Sequence, residues 1–155
     1  MLKVLLLFFT LFSSLFALDG KVVKVADGDT ITILTDSKEQ ENKTFWHWCS
    51  RKETSFRPKV KRLLAELVAG KRVKIKEKGK DRYKRVLGVV FLNKSDINEQ
   101  MVLNGYAWAY TRYSKDYVSE HNKARASKFG LWQEPNPIEP SIFRKHHTKQ
   151  KSLKI

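Results

Sequence analysis

The stretch "GKVVKVADGDTITILT", Gly20 to Thr35, decides the fold. Apolar and polar residues alternate on both sides of an Asp-Gly pair. Val23 and Val25 share one face before it, and Ile31 and Ile33 share one face after it. A period of two places alternate side chains on opposite faces of a strand, and Asp-Gly accepts a tight turn, so the stretch predicts a β-hairpin.

Outward from the hairpin, "DSKEQENK" (Asp36 to Lys43) reads as a polar turn. It runs into "TFWHWCSRKETSFRPK" (Thr44 to Lys59), which packs two Trp, a His and the only Cys into four positions and shows no clean period. From Pro58, Val60, Leu63, Leu64, Leu67 and Val68 recur at helical spacing, with Gly70 just past the end. "KRVKIKEK" alternates again, with Val73 and Ile75 inward, and "VLGVVFL" (Val86 to Leu92) reads as a buried strand beyond the charged loop "GKDRYKR". Ser95 or Asp96 can cap a short helix through Leu103, which Gly105 ends. "YAWAY" (Tyr106 to Tyr110) reads as a last short strand, and a third helix runs from about Lys115 to Phe129. Five or so short strands with few helices give an α+β, mainly β, expectation: a small five-stranded barrel of the OB type with about three helices.

The flanks set the context. Residues 1–17, "MLKVLLLFFTLFSSLFA", have one Lys, an apolar run and then small residues, the layout of a secretory signal peptide; the run is short for a membrane span, and an uncleaved anchor is the alternative. The domain is expected over 18–145, followed by a basic tail over 146–155. The lone Cys49 cannot form an internal disulfide, so an exported fold has to stand without one. The 155 residues hold 31 Lys plus Arg against 16 Asp plus Glu, a net +15. That excess favours a polyanionic partner, either nucleic acid or an anionic membrane or wall surface.

Few residues offer chemistry. Asp27 and Asp29 stand side by side at the hairpin tip, where two carboxylates form half a site for a hard cation such as Ca²⁺; Asp-Gly is also simply a good turn. Arg82 and Arg85 in "KDRYKR" can hold phosphates, because guanidinium presents a planar fork matched to phosphate oxygens; a solvated charge run is the plainer reading. "YAWAY" and Tyr113 can stack bases or fill a core. His47, Cys49, His146 and His147 lack zinc-ligand spacing, and nothing resembles a Ser-His-Asp set.

Taken in order, "VADGDTITIL", "AELVAGKRVKIKEKGKDRYKRVLGVVFL", "INEQMVLNGYAWAY" and "ARASKFGLWQEPNPIEPSIFRK" resemble the staphylococcal nuclease (thermonuclease) family over about Gly20 to Lys145. The resemblance implies an exported OB-fold enzyme that cleaves DNA and RNA phosphodiesters with Ca²⁺; a monomer is expected, and no protein partner is inferred. In that family a carboxylate-held Ca²⁺ neutralises the scissile phosphate, a Glu acts as base or positions water, and two Arg stabilise five-coordinate phosphorus. By resemblance Asp29 matches a metal Asp, Arg85 the second catalytic Arg, and Asp27 and Asp81 supporting acids. Tyr83 lies in the matching loop, with Arg82 beside it, and Tyr110 or Tyr113 in the region that stacks on a nucleotide.

After "DSKEQ" the family runs like K-I-R-L-x-G-I-D-A-P-E, whereas this chain has "NKTFWHWCSRK". The first Arg, the second metal Asp and the Glu are missing, and Arg51 falls at the Glu position. Back-translated and read one base later, Glu41 to Lys59 permits Lys-Ile-Arg-Leu-Phe, forces Gly from Trp46–His47, permits Ile after it, and allows Ala-Pro-Glu-Lys-Lys-Gln-Ala-Phe-Gly further on. Trp48–Cys49 forces Gly where the family has Asp. The segment therefore reads as a compensated shift of frame. The expectation is a nuclease with impaired catalysis; the alternatives are a non-catalytic, nucleic-acid-binding OB module and a surface-anchored protein.

Overall fold

The computed structural model describes residues 18–36, 38–44, 56–109, 111, 114–139 and 142. The expected leader, the core of the aberrant segment with His47, Cys49 and Arg51, both Tyr110 and Tyr113, and the basic tail lie outside the described residues.

The hairpin forms as β1 (Leu18–Asp27) and β2 (Thr30–Leu34), antiparallel around the Asp-Gly turn. One detail of its alternation is corrected. Register shifts between Val22 and Lys24 and between Val25 and Asp27 break the period, so Val22 is buried while Val23 is 45% exposed. A bulge adds one residue to one strand and swaps the faces that follow it.

The polar turn expected over Asp36 to Lys43 is a strand for most of its length. β3 (Glu39–Thr44) pairs antiparallel with β2 and parallel with β5 (Val86–Leu92). Pairing at both edges outweighs the weak strand preference of Glu, Asn and Lys, because a barrel satisfies every backbone group of the strand it closes on. β4 (Arg72–Lys80) pairs with β1 and β5, so β3-β2-β1-β4-β5 closes into a five-stranded barrel; β6 (Ser95–Asp96) is a two-residue addition to β5.

Among the described residues three α-helices cover it. α1 (Phe56–Val68) lays Val60, Leu64 and Val68 on the core, tolerates Pro58 in its first turn, and stops at Gly70, whose φ is 72°. α2 (Ile97–Leu103) is capped by Asp96, whose carboxylate accepts the Glu99 N–H at 3.0 Å. α3 (Val118–Ala126) is shorter than the sequence suggests, and a 3₁₀ turn (Gly130–Gln133) follows it. Ile31, Ile33, Val73, Ile75, Val90 and Met101 fill the space between barrel and helices. The class is α+β with an OB-type barrel.

"YAWAY" forms no strand over its described residues, only a single bridge at Trp108. Ala107 and Ala109 are buried as alternation predicts, but Tyr106 turns onto Phe56 with ring centroids 5.4 Å apart. Gly105 and Gly130 meet back to back: Leu131 N–H donates to the Gly105 carbonyl at 2.8 Å, and a Cβ on Gly105 would lie 2.1 Å from the Phe129 carbonyl oxygen.

Candidate nucleic-acid site

Two carboxylate-cation corners stand on the barrel, one at the β1–β2 turn and one at the β4–β5 loop. The first begins with Asp27, whose Oδ1 accepts the Gly28 N–H at 2.8 Å and the Arg57 Nε–H at 3.2 Å, while Oδ2 takes Arg57 Nη2 at 2.6 Å. The fork ties the N-terminus of α1 to the hairpin tip. Asp27 and its field hold the Arg57 guanidinium above its ordinary pKa.

Asp29 is 6% exposed. Its Oδ1 accepts the Thr30 hydroxyl at 2.8 Å, and its Oδ2 pairs with Lys43 Nζ at 3.1 Å. Its main-chain carbonyl accepts both the Thr44 N–H (2.9 Å) and the Thr44 hydroxyl (3.0 Å). The β2–β3 register places Lys43 directly across from Thr30, so strand pairing delivers the ammonium to the carboxylate. Along β3 the side chains of Asn42 and Thr44 point in and are buried, while Glu41 and Lys43 point out.

At the second corner the Lys80–Arg85 loop wraps around one carboxylate. Asp81 Oδ1 accepts the main-chain N–H of Tyr83 (2.8 Å) and of Arg85 (3.0 Å); Oδ2 accepts Arg85 Nε–H (2.8 Å) and lies 2.7 Å from Nη2. Lys84 takes a φ of 63° to complete the turn, a left-handed conformation that costs a non-Gly residue strain. Burial pushes the Asp81 pKa up, but the Arg85 side chain and the two backbone donors outweigh it and hold it below the ordinary carboxylate value. Burial acts downward on Arg85, and Asp81, then Glu41 and Asp29, outweigh that and hold its pKa up. Asp29 and Glu41 thus act on Arg85 through their charge, so the corners share one electrostatic neighbourhood. The parallel Asn42–Val86 pairing, which sets the residues before each side by side, accounts for this.

Tyr83 is 63% exposed, with the Arg82 and Arg85 guanidinium carbons 4.7 and 5.3 Å from its ring centroid. That gives an accessible aromatic face flanked by two forks. The structure therefore brings Asp29, Asp81, Arg85, Arg82 and Tyr83 to one end of the barrel, and uses Asp27 to anchor α1.

Among the described residues the fit to Ca²⁺ is poor. The ion takes six to eight oxygen ligands, and among the described residues no three acidic, His or Cys side chains gather in a way that could hold a metal. Beside the Asp29 carboxylate stands the Lys43 ammonium, 3.1 Å from Oδ2.

Lys43, Glu41 and Arg57 were not legible as site residues. The alternation Glu41–Asn42–Lys43–Thr44 was a signal for the first two; nothing local marks Arg57. A separate open groove of about 900 Å³ lies under Trp108, Trp132, Arg125 and Lys128, with His121 edge-on to Trp132 at 4.7 Å, and contains no residue of either corner.

A family model described as "Staphylococcal nuclease homologue" matches residues 32–134. A Haemophilus influenzae protein named as an uncharacterized endonuclease is 44% identical over 128 residues, covering 81% of this chain and 72% of the relative. A micrococcal nuclease of Shigella flexneri is 34% identical over 139 residues, covering 81% and 80%. An Escherichia coli protein, also named as an uncharacterized endonuclease, is 35% identical over 128 residues, covering 81% and 84%. The barrel, the loop that presents Arg85 and these relatives agree: the chain belongs to the staphylococcal nuclease family, hydrolases that act on nucleic acid.

Proposed function

We propose that this chain receives the phosphodiester backbone of DNA or RNA at the barrel end formed by the two corners, and that its hydrolysis of that backbone is impaired. Arg85, oriented by Asp81, directs its fork at the non-bridging oxygens and opposes the charge that builds as phosphorus becomes five-coordinate. Tyr83 and Arg82 offer a stacking face and a second fork for the neighbouring nucleotide. Family resemblance would have Ca²⁺ neutralise the phosphate here; the described donors do not fit it, so no step is assigned to it. Residues 1–17 support export, with a soluble mature chain beginning near Leu18.

The observation that carries the impairment is the Lys43 ammonium 3.1 Å from Asp29 Oδ2, in a segment that has no Asp, no Glu and no Arg at the positions where the resemblance expects, respectively, the second metal Asp, the Glu base and the first Arg. Loss of one such group commonly costs about 10²- to 10³-fold in rate. Purified chain should retard a plasmid on a gel, with retention that falls steeply with salt. In Ca²⁺ it should nick that plasmid at least about 10³-fold more slowly than the Shigella relative. Comparable nicking rates would overturn the impairment. Retention with no nicking at all would select the non-catalytic binding module, which the Lys43 pairing also favours.

A further inference from the structure

We infer that Lys43 and Arg85 form a phosphate clamp that works without a divalent metal, with Lys43 Nζ supplying at Asp29 the positive charge that a cation would otherwise bring. The inference rests on the reading that this end of the barrel receives the phosphodiester backbone, and it goes on to say how.

Asp29 is almost wholly buried, and a buried carboxylate demands a countercharge. Thr30 satisfies Oδ1 alone, so the charge at Oδ2 falls to Lys43. The ammonium is tethered rather than exchangeable: β3 is held on both edges, and the Thr44 N–H and hydroxyl fix the next residue to the Asp29 carbonyl. Lys43 still keeps 28% of its side chain open to solvent, and its ammonium carries three donors, so a position beside one carboxylate oxygen leaves donors for a second anion.

Arg85 is built on the same plan. Asp81 takes Nε and Nη2, which leaves the Nη1 edge of the fork beyond the pair, and 24% of the side chain is open. Each cation is thus held by one carboxylate and partly exposed, and the parallel β3–β5 pairing keeps the two neighbours. Lys80, Arg82, Lys84 and Arg85 outnumber Asp81 in the loop, so the local field favours an anion. A phosphodiester meeting two pre-positioned cations needs no metal to neutralise it.

The test is fluorescence anisotropy of a labelled single-stranded oligonucleotide with the full mature chain, in EDTA and in Ca²⁺ at constant ionic strength, across a salt series. Affinity should be the same in both. Lys43→Gln and Arg85→Gln should each flatten the plot of log affinity against log salt by about 0.7. Lys43→Arg should restore the slope, and Lys128→Gln at the distant groove should leave it unchanged. Asp29→Asn gives the sharpest arm. By removing a negative charge beside the clamp it should tighten binding about three- to tenfold, whereas a Ca²⁺-held phosphate would be weakened by it. Circular dichroism melts of each variant separate lost binding from lost folding.

Binding that collapses in EDTA, or that weakens in Asp29→Asn, would overturn the clamp and leave the nucleic-acid reading standing. Wild-type slopes unchanged in Lys43→Gln would also overturn it. No binding by wild-type chain under any condition would overturn both.

Discussion

The Asp81–Arg85 corner and the Asp29–Lys43 corner are alike in parts: a carboxylate, a cation and backbone donors around them. They differ in where those parts come from. Asp81 gathers the Tyr83 and Arg85 N–H groups and the Arg85 guanidinium from within four residues, inside one loop. Asp29 depends on Lys43 and Thr44, fourteen and fifteen residues away, delivered by a strand held between β2 and β5. A local site survives sequence change elsewhere. A site assembled across strands inherits whatever the partner strand happens to carry, and here that strand brings an ammonium to a carboxylate.

The most severe way to break this contrast is to rewrite the partner strand. Replacing Glu41 to Lys59 with the segment that the shifted frame permits, with Asp at its Gly position, would return an Arg, an Asp and a Glu to the first corner. Plasmid nicking in Ca²⁺ should then rise at least about 10³-fold, and a rise of less than tenfold would mean that the segment is not what limits turnover.

Next in size is Asp81→Asn, which should cost about 2–3 kcal/mol in urea unfolding, since a charged acceptor of side-chain and main-chain donors is lost. Because the folded pKa of Asp81 lies below its ordinary 3.8, the wild-type advantage is fully present above that value. It is lost as pH falls through the folded value, so the two unfolding curves should converge below about pH 4 and run parallel above about pH 5.

Asn42→Val sharpens the contrast from the other side. Asn42 is 1% exposed on the inner face of β3, and its Oδ1 has no partner among the described residues. A β-branched apolar residue there should stabilise the chain by about 1–2 kcal/mol; a loss of stability would show that the barrel wall has no room for it. Thr44→Val removes the hydroxyl bond to the Asp29 carbonyl but keeps the N–H, and should cost about 0.5–1.5 kcal/mol, read from the same unfolding curves. The smallest effect belongs to Arg57→Ala. The Arg57–Asp27 pair is well exposed, so it should cost no more than about 1 kcal/mol, and less at high salt.

The same difference explains what could be read from the chain. The β1–β2 hairpin, the apolar stripe of α1, the buried run Val86 to Leu92 and the cap at Asp96 are all written in local periods, and they were legible. β3 was not, because its residues are polar on both faces and its strand state comes from pairing with β2 and β5. Val23 was placed on one face with Val25 because a bulge leaves no mark on an alternating pattern. "YAWAY" shows the reverse failure: the burial rhythm of a strand appears at Ala107 and Ala109 without the ladder, because Gly105 turns the chain against Gly130. At the site, the carboxylates and Arg85 stood in recognisable loops, whereas Lys43 acquires its role only through the register that sets it opposite Thr30.

The contact between Gly105 and Gly130 sets a different kind of limit. Side chains in the barrel wall can change without breaking the sheet, because its hydrogen bonds do not depend on which residue carries them. At this contact main chain meets main chain: Gly105 faces the Phe129 carbonyl, Gly130 faces the Gly105 carbonyl, and both have positive φ. Neither position can accept even a methyl group, and changing one does not make room at the other. For a lineage accumulating mutations, the two glycines form a joint that cannot be varied in steps. Whatever the catalytic segment becomes, this pair has to be inherited intact.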